Sequence, residues 1–328
     1  MKKSQNPYII VTGAAGFIGS HVVRRLNETG RGRLLLVDDL KSGDKWQNLV
    51  GKTFAELISK QELWSWLETS RKPISGIIHL GACSSTVETD ASYLYENNTR
   101  YSIRLAKVAL SRGARFVYAS SAATYGDGSL GFLDDEAALE TLKPLNMYGF
   151  SKHLFDLWLK QEGVLNQVAG LKYFNVFGPN EAHKGRMASA IHHLVPQIQR
   201  DNKIKLFCSS DPEHFKDGEQ MRDFVWVDDV AKMTVAFLDN TVGGLFNVAT
   251  GKPTTWNTLA YAVFSALGMP PNIEYVPMPD DLIGKYQNYT CADMEKTKKV
   301  LGKDAETTSV PEAVKIYVQD YLLQGKRW

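Results

Sequence analysis

Val11-Thr12-Gly13-Ala14-Ala15-Gly16-Phe17-Ile18-Gly19 lies between an apolar run at 8–11 and a segment of helical period at 18–28. Glycine lets a chain turn tightly and bring bare backbone against a ligand, and N–H groups at a helix start attract anionic oxygens. Strand, glycine loop and helix in that order make the pyrophosphate corner of a dinucleotide site. The spacing is Gly-x-x-Gly-x-x-Gly rather than the more familiar Gly-x-Gly-x-x-Gly, so context has to carry the reading. It does: Asp38-Asp39 closes the next apolar run, 19 and 20 residues beyond Gly19. Carboxylates there accept hydrogen bonds from the adenosine ribose and favour NAD. The following Lys41-Ser42-Gly43-Asp44-Lys45 could instead neutralise a 2′-phosphate, so these residues leave NAD and NADP both open.

Outward from this loop, apolar runs at 8–11, 34–37, 76–80, 115–119 and 168–173 alternate with helical segments at 18–28, 93–111 and 148–162. Such alternation predicts an α/β fold, a Rossmann-type doubly wound parallel sheet covered on both faces. The dinucleotide-binding domain is expected over 1–180. Helical segments at 187–200, 228–239, 255–267 and 310–323 interleave with strand-rich, Pro-bearing stretches. They predict a smaller C-terminal α/β substrate-binding domain over 181–328, with some chain crossing back around 222–250. The cleft between the halves is the expected site.

Composition narrows the class. Of 328 residues, 44% are hydrophobic and 23% charged, with a formal net charge of +2, so no basic stripe invites nucleic acid. No apolar run approaches the roughly 18–20 residues that span a bilayer. The basic start at Lys2-Lys3 runs into Gly13 and Gly16 too soon for a signal sequence. Cys83, Cys208 and Cys291 are odd in number and far apart, which predicts free thiols and a cytoplasmic protein. His192 and His193 lack metal-ligand spacing, so no metal is expected.

Tyr148-Gly149-Phe150-Ser151-Lys152 sets a phenol and an ammonium one helical turn apart. A cation there favours tyrosinate, and a phenol with a lowered pKa can exchange a proton with a substrate hydroxyl. Ser120-Ser121 ends the run at 115–119 just before it.

Glycine loop, strand-end serine and Tyr/Lys pair in this order resemble the extended short-chain dehydrogenase/reductase superfamily. Four stretches narrow the resemblance: Gly81-Ala82-Cys83-Ser84-Ser85-Thr86, Ala119-Ser120-Ser121-Ala122-Ala123-Thr124-Tyr125-Gly126, Tyr173-Phe174-Asn175-Val176-Phe177-Gly178-Pro179, and His183-Lys184-Gly185 before Met187-Ala188-Ser189. Together they are similar to the ADP-L-glycero-D-manno-heptose 6-epimerase family. That resemblance implies an isomerase that oxidises carbon 6 transiently and reduces it again, with tightly bound NADP. It places Ser121 on the reacting oxygen, Tyr148 and Lys184 as acid/bases on its two sides, and Lys152 beside Tyr148. Cofactor contacts are implied at Phe17, Ile18, Asp38, Asp39, Lys45, Lys60, Leu80, Gly81, Ala82, Cys83, Ser84, Asn97, Val176 and Lys184, besides the glycine loop. Substrate contacts are implied at Asn175, Arg186, His193, Phe207, Cys208, Ser209, Ser210, Arg222 and Tyr286. It further implies a homo-oligomer, with a pentamer among the forms open, feeding heptose into lipopolysaccharide core or another surface glycan.

Two departures sit at the substrate end: Arg186 where the family usually has Ser, and a long acidic loop at 211–221. A 4-epimerase of the same scaffold is the nearest alternative. Dehydratases place an Asp-Glu pair where this chain has Ala122-Ala123, which speaks against elimination. A non-catalytic NADP sensor would commonly lack the Tyr/Lys pair that this chain keeps.

Overall fold

The computed structural model describes residues 6–279 and 287–328. Its first half alternates as expected: β1 (Tyr8–Thr12), α1 (Phe17–Glu28), β2 (Leu34–Val37), β3 (Glu56–Ile58), α2 (Glu62–Thr69), β4 (Ile74–His79), α3 (Ala91–Leu94), α4 (Tyr101–Ser111), β5 (Arg115–Ser121), α5 (Met147–Gln161) and β6 (Ala169–Tyr173). There follow β7 (Asn175–Phe177), α6 (Ala190–Asp201), β8 (Ile204–Phe207), β9 (Met221–Arg222), β10 (Phe224–Trp226), α7 (Val227–Asp239) and β11 (Gly244–Val248). The remainder adds β12 (Thr254–Thr255), α8 (Trp256–Ala266), β13 (Ile273–Val276), α9 (Glu295–Leu301) and α10 (Val310–Ile316).

Seven strands form one parallel sheet in the order β11-β6-β5-β4-β1-β2-β3. Leu34, Leu35 and Leu36 are fully buried in succession, because helices cover both faces and neither side of the strand meets water. Helices α4 and α5 pack one face through Leu105, Phe155 and Leu159, and α1 and α7 the other through Val22, Val23 and Ala231. The strand order reverses between β1 and β4. Their carboxyl ends therefore open the crevice where doubly wound sheets bind ligands.

Chain from the second half does cross back, as β11 completes the sheet beside β6 and α7 packs against α1. Helices α6, α8 and α10 instead build a separate core around Ile198, Leu259, Phe264 and Val314. Short parallel pairs β10–β7 and β13–β8 and the antiparallel pair β12–β9 complete this half.

Two expected helices differ in detail. The segment at 93–111 contains a π-helical turn at Tyr95–Arg100, and the one at 310–323 ends in another at Tyr317–Leu322. Such wide turns re-aim the side chains that follow and recur at functional sites.

Candidate active site

The glycine loop is shaped by contact rather than by flexibility alone. Gly13 has φ of +67° and touches the loop after β4: a Cβ there would fall 2.7 Å from the Gly81 nitrogen. A Cβ on Gly19 would drive into the Gly13 carbonyl. Gly16 starts α1 in an extended conformation and no side chain caps the helix, so its first N–H groups face the crevice. Thr12 Oγ1 accepts from the Gly81 N–H at 3.0 Å and meets the buried His79 ring at 2.6 Å, which locks the two loops together.

Past the end of β2, the two aspartates expected to meet a ribose are already engaged. Asp38 accepts from the Ala15 N–H at 2.8 Å and pairs with the Lys45 ammonium. Asp39 accepts from the Lys60 N–H at 3.2 Å, while the Lys60 ammonium sits 3.5 Å from it and donates to Asn97 at 3.0 Å. The π turn aims Asn97 outward to Lys60 and its neighbour Asn98 inward. Asn98 donates to the Cys83 carbonyl and accepts from the Cys83 N–H, both at 2.9 Å, which fixes the Gly81–Ser84 loop. The sequence reading missed Asn98 because it lies within an unbroken helical pattern.

Helix α5 begins at Met147, where Asn146 caps it by accepting from the Gly149 N–H at 2.8 Å. Gly149 permits close approach, since a Cβ there would lie 2.7 Å from the Ala123 carbonyl beside Ser121. Tyr148 is half-buried, and desolvation raises its phenol, with a hydrogen bond to Ser121 opposing that rise. Lys152 is 6% exposed and donates to the Ala119 carbonyl at 2.9 Å. Burial pulls its ammonium down to about 8. The expected lowering of Tyr148 by Lys152 is thus corrected: removal from water raises the phenol, and the ammonium is turned to the Ala119 carbonyl of β5.

A 3₁₀ segment, Ala182–Met187, also contributes to the crevice lining. It lays Lys184 over the Phe17 ring, 5.3 Å from its centroid, and burial lowers that ammonium while Glu181 opposes the fall. One cleft of about 1170 Å³ gathers all of this, larger than the roughly 300–1,000 Å³ of a single small-ligand site. It is lined by Gly13, Gly16, Phe17, Ile18, Gly19, Asp38, Asp39, Lys45, Lys60, Asn97, Ser121, Tyr148, Lys152, Asn175, Val176, Lys184 and Arg222, and by the whole stretch from Leu80 to Ser84.

Arg186 and His193 are exposed and do not line it. Phe207, Cys208, Ser209 and Ser210 lie at the end of β8 outside it. There the Ser209 N–H goes to Asp217 at 2.7 Å and the Ser210 hydroxyl to Asn288 at 3.2 Å. Tyr286 falls outside the described residues. Trp256 and Arg327 line the cleft without having been anticipated. Among the described residues no three His, Cys, Asp or Glu side chains gather as a metal would require, and no helix is long and apolar enough to cross a membrane.

A family model described as "NAD dependent epimerase/dehydratase family" matches residues 9–249. The chain belongs to this family. An ADP-L-glycero-D-manno-heptose-6-epimerase of Nitratidesulfovibrio vulgaris is 48% identical over 95% of this chain and 97% of its own length. One from Fusobacterium nucleatum is 44% identical over 96% and 98%. Among solved structures, the Helicobacter pylori ADP-L-glycero-D-manno-heptose-6-epimerase matches at a TM-score of 0.80 and 26% identity, covering 96% of both chains. As a member of the epimerase family this protein is an isomerase that works with a nicotinamide dinucleotide. The residues present fit that cofactor: a glycine cradle that any Cβ would fill, an uncapped helix start and lysines at the ribose end.

Proposed function

We propose that this protein inverts carbon 6 of ADP-D-glycero-β-D-manno-heptose, giving the L-glycero epimer, with NADP as its resident cofactor. The observation that supports the reading is that Tyr148 and Lys184, the two groups read as acid/bases, line one cleft. Carbon 6 bears a plain secondary alcohol, so its C–H is too weakly acidic to invert by deprotonation. When bound, the nicotinamide supplies the hydride acceptor and donor for a transient 6-ketone.

The protein's own groups then handle position and protons. Ser121, hydrogen-bonded to Tyr148, holds the oxygen at carbon 6, and Tyr148 takes or gives its proton. After the substituents at carbon 6 reorient, the oxygen meets the desolvated Lys184 instead. Lys152, held on the Ala119 carbonyl, keeps a positive charge near the phenol. Arg222 lines the sugar-nucleotide end, where a guanidinium can grip a diphosphate through two parallel bonds. The Lys45 and Lys60 ammonium groups offset Asp38 and Asp39, which removes the repulsion a 2′-phosphate would otherwise meet and supports NADP over NAD. A homo-oligomer acting in the cytoplasm, supplying heptose to a surface glycan, completes the reading.

The test is the double variant Tyr148→Phe with Lys184→Met. It is expected to bind NADP while losing epimerisation. Wild-type turnover in that variant would show both role assignments to be wrong.

A further inference from the structure

Arg327 lines the cofactor cleft, and the mechanism above gives neither it nor the neighbouring Trp328 a task. Trp328 stacks on His21 with ring centroids 4.1 Å apart and planes 13° off parallel, and the Arg24 guanidinium covers its ring at 3.7 Å. Both partners lie on α1, whose start forms the phosphate-binding corner. The Trp328 main chain is held as well. Its oxygen accepts from Lys52 at 2.9 Å and Asn180 at 3.2 Å, and its N–H donates to Asn180 Oδ1 at 3.0 Å.

This anchor sets Arg327 on the cleft wall. Its guanidinium donates to Asn48 Oδ1 at 2.8 Å and to the Asp44 carbonyl at 3.3 Å, with the Asp44 carboxylate 3.9 Å away. Asn48 in turn donates to the Ala15 carbonyl of the glycine loop at 3.0 Å and to the Asn180 carbonyl at 3.2 Å, and lies 3.3 Å from His183 Nδ1. Arg327 thus holds the helical turn carrying Lys45, and through Asn48 that turn is tied to the glycine loop and to the loop carrying Lys184. A guanidinium has five N–H donors, and these contacts use only part of them.

We propose that Arg327 is a cofactor-binding residue that grips a phosphate of the dinucleotide, and that Trp328 is the anchor holding it in place. The inference rests on the reading of the cleft as a nicotinamide dinucleotide site. Its chemical logic is retention: an epimerase ends each turnover with its cofactor unchanged, so a cation clamped across the cofactor by a distant segment serves better than a mobile lysine.

The test counts dinucleotide released from purified Arg327→Ala, Arg327→Lys, Trp328→Ala, Lys45→Ala and wild-type protein, and titrates NADP and NAD into each after cofactor removal. Arg327→Ala is expected to raise the NADP dissociation constant about tenfold, the effect of one modest charge-assisted contact. Trp328→Ala should weaken NADP similarly with Arg327 intact, and Arg327→Lys should recover part of the loss. A loss confined to NADP identifies the 2′-phosphate as the group held; an equal loss of NAD identifies the pyrophosphate. If Lys45→Ala loses NADP while Arg327→Ala holds it as wild type does, the inference is overturned and the cofactor reading stands. If wild-type protein binds neither dinucleotide, both fall together.

Discussion

Lys172 on β6 is buried against Asp156 on α5, with 1% of the lysine side chain exposed and none of the aspartate. The carboxylate accepts from Lys172 at 3.2 Å and from the Tyr118 and Ser120 hydroxyls at 2.7 Å each. Lys172 also donates to Thr124 Oγ1 at 2.6 Å, and Thr124 donates to the Ser121 carbonyl at 2.8 Å. A buried ion pair, its Asp156 one helical turn beyond Lys152, thus clamps the strand end that presents Ser121. Removing one partner of such a pair costs about 3–5 kcal/mol, because the other charge stays buried alone. Asp156→Asn should lose that much stability in urea unfolding, and Asp156→Leu with Lys172→Met should regain most of it. Equal stability of Asp156→Asn and wild type would contradict this account.

Lys152 gives the pH dependence its sign. Burial lowers its ammonium from the ordinary 10.5 to about 8, with the Asp156 charge and Cys83 opposing the fall. The group is charged below that value and neutral above it, so turnover should decline as pH rises through about 8. Asp156→Asn should shift this alkaline limb to lower pH. Between about 8 and 10.5 the unfolded chain holds the proton that the folded protein has lost, so this group's contribution to stability rises with pH there. A pH–rate profile without a limb near 8 would refute the assignment.

Glu181 backs the second lysine. Its buried carboxylate accepts from the Ser189 N–H and hydroxyl at 2.6 Å each and from the Tyr317 hydroxyl at 3.0 Å. Its carbonyl accepts from the Lys184 N–H at 2.9 Å. Glu181→Gln keeps the shape but removes the charge that supports the Lys184 ammonium. Steady-state turnover should fall roughly tenfold, about 1.4 kcal/mol on the barrier, with NADP affinity unchanged. A loss of NADP affinity instead would make Glu181 a cofactor-site residue.

Cofactor choice should follow the two lysines at the ribose end. Replacing Lys45 and Lys60 together by Ala leaves Asp38 and Asp39 without their ammonium partners. NADP affinity should fall at least about tenfold, from lost charge-assisted contacts, while NAD affinity holds or improves. Calorimetric titration of both dinucleotides checks this, and parallel losses for both would contradict it.

Much of this architecture can be read from residue order, and the exceptions have physical causes. The run Leu34-Leu35-Leu36-Val37 declares a strand because burial on both faces removes any need for polar alternation. Strand β3 is only three residues, half-buried at the sheet edge, too short to make a period of its own, and α2 adds only two turns after it. The π turn at Tyr95–Arg100 is hidden because a wide turn changes the register without changing composition. Tyr148, Lys152 and Ser121 are legible because local spacing and strand position fix them. Arg327 is not, since 283 residues separate it from Asp44 and only the folded chain joins them. The substrate end is the least legible part. There the long 211–221 loop uses its own Asp217 to hold the stretch that includes Ser209, away from the cleft.

The most direct test of the central claim is proton and carbon NMR at carbon 6 of ADP-D-glycero-β-D-manno-heptose, deuterated at that carbon and incubated with the purified protein. Inversion to the L-glycero epimer with the deuterium retained is expected. An unchanged sugar, or inversion with solvent hydrogen appearing at carbon 6, would contradict the account.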